Sequence, residues 1–519
     1  MKKAVCMRTI RNLTALLLAL VLLAGCTCAV AETVPDQYEG AGFDAPEDAA
    51  LYYLAGLKNM DLGQMLSAFA WETLAERYDY KAMITRAKGT DPYYVPGMPV
   101  FNDLSRSANV ELLRDEQTDY ICRALEYYIN DELFNSSTGF MAFNEDSELD
   151  EYLQRCDNGK IDRLAAMTNI RFYTPDDVTD GRFSMERAYQ NFLKQTAQYG
   201  ADEVTAVFAA ADIDGITYAI SPVVARYGDK WYMVNMFSSV TSLVGIESNK
   251  QSFYDVPAEV MERLKNATPY FTATDLPSGN RKTPYEGQGF SSPEEAVNFY
   301  FDGLKNGNVQ QMLQAFAWET QADRYSLKEY AYSKRYINMD APVRMQFDNA
   351  FMRELNLGSL RYSQNRVIYN AIRLYILEDE EKAANLINGY RIDMKEEDEI
   401  NAFIKCFDNG KADKLKRLGN VRLMDPETLS ERYNTDPVRK RLETLGLIYG
   451  ADEIKETLAF ADLDGETLAV NPILVRYGDR WYIASFEGIT FSILAVEVNR
   501  RALLHIKEPA ETLLQLLKQ

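Results

Sequence analysis

At 519 residues the chain is too long for one ordinary core, so two or three domains are expected. Hydrophobic residues at 47% and charged residues at 26% are those of a folded globular protein and exclude a disordered one. A formal charge of −21 excludes nucleic acid as a partner, because so acidic a surface repels phosphate.

The first 25 residues read as a signal peptide. Lys2, Lys3, Arg8 and Arg11 form a positive start, and an apolar run follows from Leu13 to Leu23. That run is shorter than the ~20 residues a permanent membrane helix needs. It ends in Leu23-Ala24-Gly25-Cys26, which resembles a bacterial lipobox and makes Cys26 the expected lipidation site. Cleavage after Ala29-Val30-Ala31 is the ordinary secretory alternative. Residues 26–41 then form a tether, and the protein is expected outside the cell, anchored to the outer face of the membrane by its acyl chains.

Beyond the tether the chain repeats itself. Gly42-Phe43 returns as Gly289-Phe290, Ala68–Thr73 as Ala315–Thr320, and Asp157–Lys160 as Asp408–Lys411. Tyr199–Val234 aligns with Tyr449–Ala484 without a gap, with 19 of 36 positions identical. The reading is a whole-domain duplication, 42–266 and 289–519, joined by a linker at 267–288.

In each copy a first helix is expected to start at Pro46 or Pro293, with Ser292 and Glu295 adding a capping box. A second helix is expected to start at Asp61 or Asn308, with a glutamine three residues on. Leu62, Met65, Leu66, Phe69 and Thr73 make one stripe of that helix, and Trp71 falls on the opposite face. The middle of each copy, roughly 85–167 and 335–418, reads as helical. Leu125, Tyr128 and Ile129, and Ile372, Tyr375 and Ile376, give helix faces there. Val204–Ala211, Ile216–Tyr227 and Trp231–Val234 are strand-like, with turns at Asp214-Gly215 and Gly228-Asp229. The expected fold class is α+β. Each domain has N-terminal helices and a helical insertion packed on a C-terminal antiparallel β-meander.

Pro293–Asn308 followed by a meander closing on Tyr477–Tyr482, with Pro46–Asp61 and Tyr227–Tyr232 in the first copy, resembles the nuclear-transport-factor-2-like superfamily. That superfamily includes the SnoaL and ketosteroid-isomerase-type cone folds. The resemblance covers the two ends of each copy and makes the helical middle an insertion. It implies a cone-shaped sheet that hosts enzymes in some members and plain binding modules in others.

No catalytic, cofactor-binding or metal-site signature stands out. Asp212–Gly215 and Asp462–Gly465 lack the first and last ligands of a calcium loop, so a hairpin turn is expected at both. His505 is the sole histidine, which removes the parts for zinc sites and histidine-based triads. Cys122, Cys156 and Cys406 make no disulfide framework, and Cys156 and Cys406 read as filling one buried niche in each copy. Trp71, Trp318, Trp231 and Trp481 are either core anchors or platforms for sugar rings. Glu396–Glu399 reads as a solvated helix start. The expected function is a tethered, non-catalytic binding or scaffolding module whose partners are membrane lipid and an unknown protein or small-molecule ligand. The alternative is a cone-fold enzyme with a carboxylate/tyrosine pocket in one copy.

Replacing Cys26 with serine is expected to abolish lipid labelling and to release the protein from the membrane fraction. A mature N-terminus at Glu32 with no lipid attached contradicts the anchor.

Overall fold

The computed structural model describes residues 38–86, 98–130, 159–173, 193–220, 222–235, 266–273, 275–278, 287–333, 349–377, 396–425 and 435–486, with short pieces in 135–154 and at 244–245. Cys26 and the signal peptide, Cys156 and His505 lie outside the described residues.

Proline at the first helical position starts α1, Pro46–Asn59, as it starts the corresponding helix Pro293–Lys305. Ser292 caps the latter by accepting from the Glu295 amide at 3.2 Å. The Glu295 carboxylate reaches Ser291 rather than Ser292, so the expected capping box is shifted by one residue. The short α2, Leu62–Leu66, is capped by Asp61, whose carboxylate accepts from the Gln64 amide at 2.8 Å.

Here the expected single second helix is corrected. It breaks at residues 67–70, and a new helix α3, Trp71–Arg77, begins. The backbone of the break leaves the helix to pair with a strand: Met233 N donates to Ala68 O at 2.9 Å, and Ala70 N to Met233 O at 3.0 Å. Trp71 closes the corner. Its indole Nε1 donates to Leu66 O at 2.8 Å, a second hydrogen bond on a carbonyl that also takes the Phe69 amide at 3.2 Å, and its ring stacks on Phe69 at 4.6 Å. The second copy repeats this corner with Trp318, Leu313 O and Phe316. Both indoles are buried, at 1% and 0% exposure, so neither is a sugar platform.

After α4, Tyr80–Arg86, comes α5, Asp103–Asn130, the observed form of the helical middle. Leu125, Tyr128 and Ile129 are buried on it, as are Ile372, Tyr375 and Ile376 on its counterpart. A strand that the sequence reading did not anticipate follows at β1, Thr168–Tyr173. Then come β2 Glu203–Ala206, β3 Phe208–Ile213, β4 Ile216–Ile220, β5 Val223–Tyr227 and β6 Lys230–Asn235. All neighbours are antiparallel. The pairs Glu203↔Arg226 to Ala206↔Val223 and Ala209↔Ile220 to Ile213↔Ile216 keep one register. This is one long hairpin, bent where Val207 N meets Pro222 O. Its turn is Asp214-Gly215, both at positive φ, as the sequence predicts. Within the stretch read as linker, β7, Phe271–Ala273, pairs antiparallel with β1.

The same order recurs from Phe290 on: α6 Pro293–Lys305, α7 Val309–Leu313, α8 Trp318–Arg324, α9 Leu327–Ser333, α10 Ala350–Leu377 and α11 Glu397–Lys405. Next are β8 Gly419–Met424, α12 Asp436–Tyr449, β9 Glu453–Glu456, β10 Leu458–Leu463, β11 Glu466–Val470, β12 Pro472–Tyr477 and β13 Arg480–Phe486. Glu396 caps α11 in a capping box with Glu399, which accounts for the acidic run. Cys406 ends α11 half-exposed, its thiol on Ala402 O, so the buried-niche expectation fails for it. The buried side of this helix is formed by Ile400 and Phe403, with Phe407 just beyond. Cys122 is the buried cysteine, on α5.

The described residues from Tyr38 onward form one compact unit. Two hydrophobic cores fill it, and each borrows from the other copy. Tyr80, Met83, Ile84, Leu104 and Ala108 pack with the second copy's core, while Phe351, Met352 and Leu355 pack with the first copy's.

Trp71→Ala and Trp318→Ala are each expected to cost about 3–5 kcal/mol, read from denaturant midpoints. Trp71→Phe keeps most of the packing and loses the indole hydrogen bond, so about 1–3 kcal/mol is expected for it.

Candidate functional site

Titratable side chains are buried together where α5 crosses α10. The two helices run antiparallel. Tyr369 OH reaches Asn109 Oδ1 at 3.1 Å, Asn365 reaches Asp115 Oδ2 at 3.1 Å, and Ser359 reaches Asp119 Oδ1 at 2.9 Å. Gly358 lets the backbones approach, since a Cβ there would lie 2.0 Å from Thr118 Cγ2.

Arg361 is the centre of this cluster, with its side chain 2% exposed. It donates to Asp115 Oδ2 at 3.2 Å and to Glu111 Oε2 at 2.5 Å. The other Glu111 oxygen accepts from Tyr38 OH at 2.7 Å. Burial pushes the Glu111 carboxyl up, against the pull of Arg361 and Arg114. Burial also raises the Tyr38 phenol, and Glu111 adds to the effect. Arg114 lies over the Tyr38 ring at 4.2 Å. Tyr38 is brought here by its own backbone: the amides of Tyr38 and Glu39 donate to the two Glu72 oxygens at 2.7 and 3.0 Å. Glu39 in turn takes the Thr73 amide and hydroxyl at the start of α3. Both Glu111 oxygens are thus hydrogen-bonded, and the cluster holds two helices in register.

At the half-buried margin of the crossing, Tyr362 OH donates to Glu116 Oε1 at 3.2 Å. Burial pushes the Glu116 carboxyl up to about 7, with Asp119 adding to the rise and the Tyr362 hydrogen bond, Arg366 and Arg123 opposing it. This is the carboxylate beside a tyrosine that an enzyme reading calls for. It sits between the helices of the two copies and not on the sheet of one.

A second polar cluster is present once in each copy. β1 carries a bulge at Asn169, φ 52°, and β8 carries one at Asn420, φ 50°. Asparagine tolerates this left-handed region better than most residues. Asp212 accepts from Asn169, Arg171 and Thr217, and Asp462 accepts from Asn420, Arg422 and Thr467. Burial raises both carboxyls, but these donors outweigh it and hold each below its usual range. Asp214 and Asp464 pair with Arg163 and Arg417. The aspartates of the suspected calcium loops therefore serve a hairpin and a bulge. Sequence reasoning missed Asn169 and Arg171, although their recurrence as Asn420 and Arg422 beside the paired aspartates was visible.

Trp231 and Trp481, 8% and 9% exposed, sit on β6 and β13 with Arg226 and Arg476 over their rings. Among the described residues no group of three or more histidine, cysteine, aspartate or glutamate side chains could hold a metal ion.

Arg361→Met is expected to cost about 3–5 kcal/mol, since it leaves Glu111 and Asp115 buried without their partner. Glu116 gives a separate pH signature. Its carboxyl titrates higher folded than at the ordinary 4.5, so the stabilisation it contributes is complete below 4.5 and is lost as pH rises through about 7. Glu116→Gln should remove that slope from midpoints measured between pH 4.5 and 8.

No family model matches the chain, and no curated protein does. Among solved structures, a cystatin-like protein from Ruminococcus gnavus ATCC 29149 is a distant neighbour. It is 12% identical with a TM-score of 0.45, over 87% of this chain and 91% of that one.

Proposed function

We propose that the protein is an exported lipoprotein, held at the outer face of the cell membrane through acylated Cys26. In this reading its folded part is a non-catalytic binding or scaffolding module of the cell envelope. It is built from two diverged copies, 42–266 and 289–519, of one nuclear-transport-factor-2-like unit, and its partner is a protein or small-molecule ligand. One observation carries the binding reading. The corner where the helices meet the sheet is packed alike in both copies. Tyr53, Phe69 and Trp71 occupy it in the first and Tyr300, Phe316 and Trp318 in the second, all at 3% exposure or less. An enzyme that had kept catalysis in one copy would differ there between copies. Among the described residues no helix is long and apolar enough to cross a membrane.

The Glu116–Tyr362 pair favours a second reading, a carboxylate/tyrosine enzyme, because a carboxyl titrating at about 7 is matched to proton transfer near neutrality.

A ligand-library thermal-shift screen on the Cys26→Ser protein separates the two. Binding raises the midpoint with ligand concentration and leaves the compound intact. Consumption of a hit, followed by mass spectrometry and lost in Glu116→Gln, overturns the binding reading in favour of the enzyme.

A further inference from the structure

The two copies differ at one sheet edge. In the first, β7 lies antiparallel on the outer edge of β1, pairing Phe271 with Phe172, Thr272 with Arg171 and Ala273 with Ile170. The Tyr270 amide donates to Phe172 O at 3.0 Å, the Phe271 ring lies 5.5 Å from that of Phe172, and the Tyr270 hydroxyl reaches Glu47. Under this cover Ile170, Phe172 and Tyr173 are 2%, 0% and 2% exposed. In the second copy, β8 holds the β1 position against β10, and among the described residues no strand lies on its outer edge. The counterpart side chains Val421, Leu423 and Met424 are each half-exposed. Glu294, at the Glu47 position of α6, is exposed where Glu47 is half-buried.

From this difference we infer that the outer edge of β8 is a strand-addition site for one extended segment of a partner polypeptide. That segment carries the chemistry of residues 270–273: two adjacent aromatics followed by two small residues. An unpaired edge offers a row of backbone donors and acceptors, and the side chains along it select the sequence that adds. The usual guards against such addition are not in force on β8. It has no proline or lysine, and its one charge, Arg422, is drawn back to Asp462 at 3.0 Å. The bulge at Asn420 is no obstacle, because β1 carries the same bulge and still pairs with β7. An aromatic residue in the Phe271 position would cover Leu423, and a tyrosine before it would place its hydroxyl at Glu294. This inference deepens the binding-module reading and rests on it.

The probe is a fluorescein-labelled peptide of the chain's own residues 268–275, titrated by anisotropy against the full chain. Saturable binding of one peptide per chain is expected, since the β1 edge is already filled. Phe271→Ala in the peptide should weaken binding about tenfold or more, as loss of an aromatic anchor does. N-methylation of the peptide backbone at Thr272 should abolish it, and Glu294→Gln in the protein should weaken it severalfold while leaving the unfolding midpoint unchanged. A benzophenone in place of the Phe271 ring should cross-link within residues 421–424. Absence of saturable binding, indifference to N-methylation, or cross-links elsewhere overturns the site. If the peptide fails while a library compound still raises the midpoint, the edge is overturned and the binding module stands. Concentration-dependent self-association that the peptide competes away overturns the separate partner and assigns the edge to a second copy.

Discussion

Arg361, buried between Glu111 and Asp115, is the contact on which the two copies depend, because it lies on one 28-residue helix and both acids lie on the other. Removing Arg361 while α5 and α10 stay packed would leave two carboxylates in a space closed to water. A buried ion pair is weak as a source of stability, since desolvation offsets most of its attraction. It is strong as a selector of register, because any slip leaves a charge unpaired. The approach permitted by Gly358 against Thr118 sets the spacing at which these short contacts form. The cores then follow from the crossing. Each helix carries its apolar end into the other copy, so Leu104 and Ala108 complete one core while Phe351 and Leu355 complete the other.

What the copies share is a set of corners. Phe69 and Phe316 pull the backbone out of a helix to meet a strand, and the Trp71 and Trp318 indoles add a hydrogen bond to the last carbonyl of that helix. Asn169 and Asn420 bulge the edge strand, and Asp212 and Asp462 hold the bulge with three donors each. These are backbone problems with one local solution, which explains why the same residues occur twice.

The parts legible in the sequence were those that act within a few residues. Pro46, Asp61, Ser292 and Asn308 announce helix starts through the first turn alone, and Asp214-Gly215 announces a hairpin through its own backbone angles. The break before Trp71 was hidden because the 3.6-residue stripe runs on through Phe69, while the partner that captures the backbone, Met233, lies far along the chain. Reading one helix there placed Trp71 on an opposite face. Its burial agreed with that reading, but the cause is a helix end and not a second face. The candidate site was the least legible part. Arg361 meets Glu111 and Asp115 across 250 and 246 residues, and nothing local marks one acid of α5 from its neighbours as the buried one.

The differences between the copies are concentrated where α5 meets α10. Arg114 and Arg361 stand at corresponding positions, as do Asn109 and Asn356, so the crossing keeps traces of a self-complementary pair. Around them the helices have parted in charge: Glu111, Asp115 and Asp119 of α5 correspond to Gly358, Tyr362 and Arg366 of α10. In a pair of two α10 helices, Gly358 and Tyr362 would stand where Arg361 now meets Glu111 and Asp115. The sheet edges differ as well: β7 covers β1, while among the described residues no strand lies on the outer edge of β8.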